Sequence, residues 1–443
     1  MNATQQLAEI QQIIDDVIKM ARTLGASQAE ASIAKIKGIA VSTRLKEVET
    51  LEYTNDGALG ITVYNGQRKG SASTADLSKA ALASTVEKAI EIAKYTGEDV
   101  CSGLAEASLL ETNPPDLKLY YPEDLDPQYG IDAAIKAEQV ALDSDSRIVN
   151  SDGASYNANL GVKVYGNSNG FNAGYPSSRY SLSCVVIGQQ DDDMQRDYSY
   201  SVHRQRHLMA SPEQVGKEAA EFTLGRLGAR KIATGKVPVM FHSDISSGLF
   251  GHLVSAISGG SLYRKSSFLL DHLGKQILPK WCNISERPHI ICGLASSPFD
   301  AEGVQTKDME IIENGVLSHY LMTSYSGRKM SMPTNGHAGG IHNWLVAHSN
   351  KDFEAMLATM GTGLLVTELM GQGVNIVTGD YSRGAAGFWV ENGKIEYPVA
   401  EVTIAANLKD MLKNIVAIGS DIDVRGSIQC GSVLIEEMQV AGA

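Results

Sequence analysis

The 443-residue sequence lacks the short motifs by which several classes of enzyme are recognised. It contains neither HExxH nor HExxxH, so no helix can supply the paired histidines and the glutamate of a typical zinc peptidase. It also contains no GxxxxGKS or GxxxxGKT phosphate loop. These absences argue against P-loop nucleotide hydrolysis and self-contained zinc catalysis.

Cysteine pairs, long apolar runs and excess positive charge are missing as well. The five cysteines are far apart and form no CxxC, which argues against a zinc ribbon and a disulfide framework. No apolar run approaches the roughly 18 residues that a membrane helix needs, and the first residues do not resemble a signal peptide. The net charge of −13 disfavours general nucleic-acid binding. We therefore expect a cytoplasmic protein with no membrane and no nucleic-acid partner.

The pattern that is present predicts an α+β fold with an N-terminal α/β unit of strands and helices. Alternating residues with regular turn signals between residues 148 and 203 predict an antiparallel middle sheet, and a larger strand-rich region follows. Linker-like segments near Asn113–Pro115 and Gly225–Lys236 separate these parts. The predicted domains are 1–112, 113–230 (helices plus the antiparallel sheet) and 231–443.

The stretch Gly379–Asp410 has the clearest local signals in the chain. Its glycines predict a loop over Gly379–Gly387, and Asn392-Gly393 predicts a type I′ hairpin turn between two strands. In this predicted loop we expect Arg383, flanked by Asp380 and Ser382, to contact a substrate or a partner subunit, because a guanidinium suits carboxylates and carbonyls. The alternative is that Arg383 pairs with Asp380 or another internal acid and only shapes the loop.

Several long segments resemble one known family. They include SPFDAEGVQT, NGHAGGIHNW and TGLLVTELMGQGVNIVTGDYSRGAAGFW, and together with NDGALGITVYNGQRKGSAS they extend over most of the chain. They are similar to the TldD/PmbA metalloproteases, specifically to the PmbA (TldE) branch. The resemblance implies a cytoplasmic protease complex that cleaves unfolded peptides, in microcin maturation and antitoxin turnover. It also implies a TldD-type partner subunit that carries the metal, and peptide binding by strand addition.

Catalytic members of this family carry HExxxH on a helix and a further cysteine ligand near the C-terminus. The matching residues here run from Ser247 to His252, so Ser247 and Gly248 stand in the places of the first histidine and the glutamate. Only His252 is kept, and Cys430 lies near the place of the cysteine. The competing interpretations are a packed histidine and a buried thiol. We expect no catalytic residue and no cofactor on this chain alone, with zinc on the TldD-type partner.

Two hypotheses for the function follow. The first is a non-catalytic subunit that holds unfolded peptide beside a TldD-type partner. The second is a self-sufficient homodimeric metallopeptidase, which would use His252, Cys430 and an unrecognised ligand. His337 and His342, in the segment HAGGIH, are further candidates for substrate or partner contact. The alternative for this segment is a turn rich in positive φ angles. An effect on DNA gyrase is suggested only by the family's naming history.

Overall fold

The computed structural model describes residues 3–442, and these residues have the predicted α+β architecture. Their α-helices are α1 (Ala3–Thr23), α2 (Lys79–Tyr95), α3 (Pro127–Ser144), α4 (Pro212–Gly225), α5 (Ser243–Ile257), α6 (Gly259–Tyr263), α7 (Ser324–Met330), α8 (Phe353–Met360) and α9 (Leu408–Lys413). Their strands are β1 (Gln28–Arg44), β2 (Glu47–Asn65), β3 (Arg68–Thr74), β4 (Ile148–Asn167), β5 (Asn172–Gln190), β6 (Asp193–His203), β7 (Gly235–Phe241), β8 (Ile284–Glu286), β9 (Met309–Glu313), β10 (Val316–Leu317), β11 (Trp344–Val346), β12 (Gly363–Met370), β13 (Asp380–Glu391), β14 (Lys394–Asn407), β15 (Ile415–Ile418), β16 (Ile428–Gln429) and β17 (Val433–Ala441). Within this part of the chain, no helix is both long and apolar enough to cross a bilayer.

The first half of the chain builds one antiparallel sheet in the order β3-β2-β1-β4-β5-β6. Helices α1 and α2 pack their apolar residues against one half of the sheet, and α3 and α4 pack theirs against the other half. The antiparallel middle sheet predicted for residues 148–203 is confirmed as β4, β5 and β6. The pairing of β1 with β4 carries the sheet across the predicted boundary after residue 112, and the division into domains stays a prediction.

The second half of the chain contains two more sheets around the largest hydrophobic core. One has the order β10-β9-β8-β11-β16, and the other has the order β14-β13-β12-β7-β17-β15. An extra pairing of β14 with β17 closes five strands of the second sheet into a ring. Helix α5 contributes Leu249, Phe250 and Leu253 to the core beside these strands. The strand-rich C-terminal region is therefore confirmed.

The glycine-rich segment Gly379–Gly387 is not a loop, and the prediction of one was wrong. Strand β13 begins at Asp380 and pairs with β12 on one side and β14 on the other. Of its glycines, Gly379 has a positive φ of 86°, whereas Gly387 is needed for close packing. A Cβ on Gly387 would lie 1.9 Å from the carbonyl oxygen of Leu365. Small residues here allow the neighbouring strands to approach closely. In the sequence, such glycines look the same as the glycines of a turn, so the pattern alone does not distinguish a strand from a loop.

The hairpin that follows is confirmed. Asn392 and Gly393 have φ values of 49° and 73° and connect β13 to β14. This positive pair is what a type I′ turn requires.

Candidate functional site

Helix α5 carries Ser247, Gly248 and His252, the positions that the resemblance aligns with an HExxxH motif. It begins directly after β7, where His242 caps it by accepting a hydrogen bond from the Asp244 backbone N–H at 3.3 Å. Its buried positions, Leu249, Phe250 and Leu253 among them, fix the helix against the core. Since the helix is continuous, His242 and His252 are about 15 Å apart along its axis and cannot share one ion.

The opposite side of α5 borders open space. Gly248 is exposed, and a Cβ added at Gly248 or Gly251 would meet no atom within 4 Å. Residues four apart on a helix lie on one face, so Gly248 stands directly beside His252. We call Gly248, Gly251 and His252 the α5 face. The places where a catalytic member carries larger polar side chains are thus unfilled by this chain.

His252 lies between solvent and core and packs against β13. Its ring meets the ring of Tyr381 edge-on, with 6.0 Å between centroids. Burial, followed by the nearby positive charge of Arg383, lowers the pKa of the His252 imidazole below its usual value. The ring is therefore held in its neutral form beside a guanidinium.

Cys430 points to a different part of α5. Its thiol is buried, donates to the carbonyl of Gly431 at 3.2 Å and lies next to Ser246. Ser246 and His252 are separated by about 120° around the helix axis. Burial raises the pKa of the Cys430 thiol, which disfavours the thiolate that metal binding requires.

The residues of this site do not fit a catalytic zinc ion. Such a site uses three protein ligands and keeps an open position. Across residues 3–442, no three or more His, Cys, Asp or Glu side chains come together in a way that could hold a metal ion. Ser247 and Gly248 supply neither a strong ligand nor a general base, and His252 and Cys430 face different neighbours.

Arg383 and Tyr381 lie two residues apart on β13 and both face toward α5. Arg383 forms no ion pair within residues 3–442, and its Nε–H is buried without a hydrogen-bond partner. Asp380 does not neutralise it, because the Asp380 carboxylate accepts hydrogen bonds from Thr378 Oγ1 at 2.7 Å and from Asn407 Nδ2 at 3.4 Å. Within residues 3–442, Arg383 therefore pairs neither with Asp380 nor with another internal acid.

Tyr381 is the functional candidate that the sequence analysis missed. It is buried against both His252 and Phe241, and burial raises the pKa of its hydroxyl to about 12 although Arg383 opposes the shift. Assigning a strand to this segment would have revealed it, since residues i and i+2 of a strand share a face. Ser382, between the two, is exposed on the other face.

His337 and His342 belong to a separate, buried set of hydrogen bonds that we call the Glu286 network, which comprises Glu286, His337, His342 and Trp344. The Glu286 carboxylate faces His337 Nε2 at 2.9 Å and accepts from the His342 backbone N–H at 2.9 Å and from Trp344 Nε1 at 2.7 Å. His342 Nε2 is also bonded to the Gly336 carbonyl, at 3.1 Å, and burial lowers the pKa of His342. Both rings are buried, so neither is available for direct contact with a substrate in this conformation.

The loop that carries these histidines fits the turn interpretation. Gly336, Gly339 and Gly340 all have positive φ angles, of 84°, 97° and 126°. Ala338, between the histidines, does line an open cleft together with Glu30 and Glu302. The loop therefore borders this cleft through Ala338, and not through either histidine ring.

Comparison with known proteins identifies the family to which this chain belongs. Three family models match consecutive parts of the chain: PmbA/TldA metallopeptidase domain 1 over residues 29–93, the central domain over 120–227 and the C-terminal domain over 234–442. The metalloprotease PmbA homolog of Haemophilus influenzae is 56% identical over 99% of this chain and 97% of its own length. The chain belongs to the PmbA/TldD metallopeptidase family.

Further matches place it in the PmbA branch of that family. The metalloprotease PmbA of Escherichia coli O157:H7 is 54% identical over 100% of this chain and 99% of its own length. Among solved structures, a Bacteroides thetaiotaomicron protein described as a candidate modulator of DNA gyrase superposes with a TM-score of 0.93 at 28% identity, covering 98% of this chain and 99% of that one. TldE from Thermococcus kodakarensis, at 18% identity, has the same fold with a TM-score of 0.86 and covers 97% and 100%. The chain is thus a PmbA/TldE-type member of a protease family.

Proposed function

We propose that this PmbA-type chain is the non-catalytic subunit of a cytoplasmic two-subunit metallopeptidase, in which it holds unfolded peptide while a TldD-type partner supplies the zinc. The supporting observation is the composition of the α5 face. Ser247 and Gly248 occupy the places of a ligand and a base, and His252 packs against Tyr381 with a neutral ring. Hydrolysis by a zinc-bound water needs three ligands and a base, and residues 3–442 do not bring such a set together.

The proposed contacts with peptide or partner lie on β13. Asp380 and Ser382 are exposed, and Arg383 lies close enough to His252 for its charge to lower the pKa of that ring. Because β13 is paired on both sides, it would contribute side-chain contacts, and the backbone contacts that a sequence-tolerant protease uses would lie elsewhere in the complex. Peptides of the kind processed in microcin maturation and antitoxin turnover are the substrates that we propose.

The test is reconstitution with a TldD-type partner. We expect the chain alone to carry substoichiometric zinc and to leave an unfolded peptide intact, and the mixture to form a complex that cleaves it. A partner with its motif glutamate replaced should form the complex and cleave nothing. Stoichiometric zinc and chelator-sensitive cleavage by this chain alone would instead support the homodimeric peptidase and overturn the proposal.

A further inference from the structure

Arg383, beside the α5 face, has a positive charge that no carboxylate among residues 3–442 neutralises. Arg383 forms no ion pair within residues 3–442, and its Nε–H is buried without an acceptor. Buried polar groups in folded proteins are nearly always hydrogen-bonded, so an unpartnered donor of this kind calls for an explanation. The guanidinium does interact with the Tyr381 hydroxyl, but that neutral group leaves its positive charge uncompensated.

Open space borders the exposed side of α5, the helix whose His252 ring is close enough to Arg383 to respond to its charge. The neighbouring positions Gly248 and Gly251 leave open volume on α5, because an added Cβ at either would touch nothing within 4 Å. Tyr381 and His252 form the wall of this space through their edge-on ring contact. We infer that the α5 face is the route by which a group from outside the chain would reach Arg383.

The groups around this space are donors. The Tyr381 hydroxyl keeps its proton at neutral pH, because burial raises its pKa to about 12. The neutral His252 ring has one N–H, and the guanidinium presents a planar fork of N–H groups. Asp380, the acid nearest in sequence, is bonded to Thr378 and Asn407 instead. A donor-lined space with one unpaired cation is complementary to an anion with two acceptor oxygens.

We propose that Arg383 binds a carboxylate group of the held peptide, at the position where catalytic members of the family carry their metal. This assignment rests on the proposed peptide-holding function and names the chemical group that the site takes. The fork of a guanidinium matches the two oxygens of a carboxylate, which a lysine at the same place would not do. The carboxylate comes either from the C-terminus of the peptide or from an Asp or Glu side chain.

The test compares peptides that differ only in this group. Three versions of one fluorescent unfolded peptide are used: a free C-terminal acid with one internal Glu, its C-terminal amide, and a version with that Glu replaced by Gln. Their affinities are measured by anisotropy for the chain alone and for its complex with a TldD-type partner. We expect one of the two neutralised peptides to bind about 10- to 100-fold more weakly, the usual worth of a charge-assisted hydrogen-bonded pair. Which one weakens identifies the source of the carboxylate.

Variants connect this difference to Arg383. Arg383→Met should bind all three peptides with the same weakened affinity, and Arg383→Lys should recover only part of the discrimination. Arg230→Met is the matched control, since Arg230 stacks on Tyr397 and is exposed, and it should discriminate like the original chain. An unchanged midpoint of thermal unfolding for Arg383→Met excludes a folding defect as the cause.

The outcomes separate this assignment from the proposed function. Equal binding of all three peptides by the original chain, or discrimination that survives in Arg383→Met, overturns the carboxylate assignment alone. If no peptide binds with or without the partner, the peptide-holding function fails and the assignment fails with it.

Discussion

The Glu286 network and the α5 face both contain histidine in the C-terminal half of the chain, but their hydrogen bonding differs. In the Glu286 network, the carboxylate faces three donors, and both rings are bonded within the fold. On the α5 face, two glycines border open space, and beside it on β13 an N–H of the Arg383 guanidinium has no partner. Satisfied buried groups support a fold, whereas an unsatisfied group next to open space is suited to something outside the chain.

The largest effect is expected from breaking the Glu286 network. Glu286→Ala leaves the donors of His337, His342 and Trp344 without an acceptor in a buried place, where the carboxylate is only 2% exposed. Removing one partner of a buried charged group typically costs about 3–5 kcal/mol. We expect a loss of that size in the free energy of unfolding, measured by urea denaturation.

The control for this variant is Glu310→Ala. Glu310 lies on the adjacent strand and is paired with Arg287 at the surface, with 45% of its side chain exposed. An exposed pair is worth about 0–1 kcal/mol, so this change should have little effect. Equal losses for the two variants would mean that Glu286 is no more important than a surface acid.

The comparison also shows what the sequence could and could not predict. The α+β class, the middle sheet and the Asn392-Gly393 turn follow from periodicity and turn chemistry, which are local. Strand β13 does not follow from local patterns, because Gly387 must be small to avoid the backbone of Leu365, which is distant in the chain. Likewise, the burial of His337 depends on Glu286, far away in sequence, so the segment HAGGIH alone could not reveal it. The loss of the metal motif was visible, but the unpaired state of Arg383 required the fold.

The second prediction concerns Asp300, which supports the loop of the Glu286 network by accepting from the Ala338 backbone N–H at 3.0 Å. Burial raises the pKa of this carboxyl from the usual 3.8 to about 6. A raised carboxyl pKa favours the folded state when the group is protonated. Its contribution to stability is therefore fully present below about pH 4 and is lost as pH rises through about 6.

The size of this effect is about 3 kcal/mol, since each unit of pKa shift is worth about 1.4 kcal/mol. The difference in free energy of unfolding between the original chain and Asp300→Asn should change by about this amount between pH 4 and pH 7. The original chain should be less stable, relative to the variant, at pH 7 than at pH 4. Taking the difference removes the contributions of other titrating groups. A difference that is independent of pH would show that Asp300 titrates normally.

The third prediction tests whether β13 is as closely packed as the structure indicates. Gly387→Ala places a methyl group against the backbone of Leu365, which cannot rotate away. Overpacking of this kind costs about 1–3 kcal/mol. Chemical denaturation should show a lower free energy of unfolding, and an unchanged value would restore the loop interpretation of this segment.

The smallest effect on stability, and the sharpest test of the α5 face, comes from Gly248. Gly248→Ala should raise the free energy of unfolding by about 0.5–1 kcal/mol, because glycine is unfavourable inside a helix and the added methyl group meets only open space.

Gly248→Glu should fold equally well and place a carboxylate within reach of Arg383. That internal acid would occupy the proposed carboxylate position, so binding of the acid peptide should fall to the level of its neutralised version. Gly248→Gln, which has nearly the same shape and no charge, should keep the preference for the acid peptide. If Gly248→Glu discriminates as well as Gly248→Gln does, the space beside Arg383 is not where the peptide carboxylate binds.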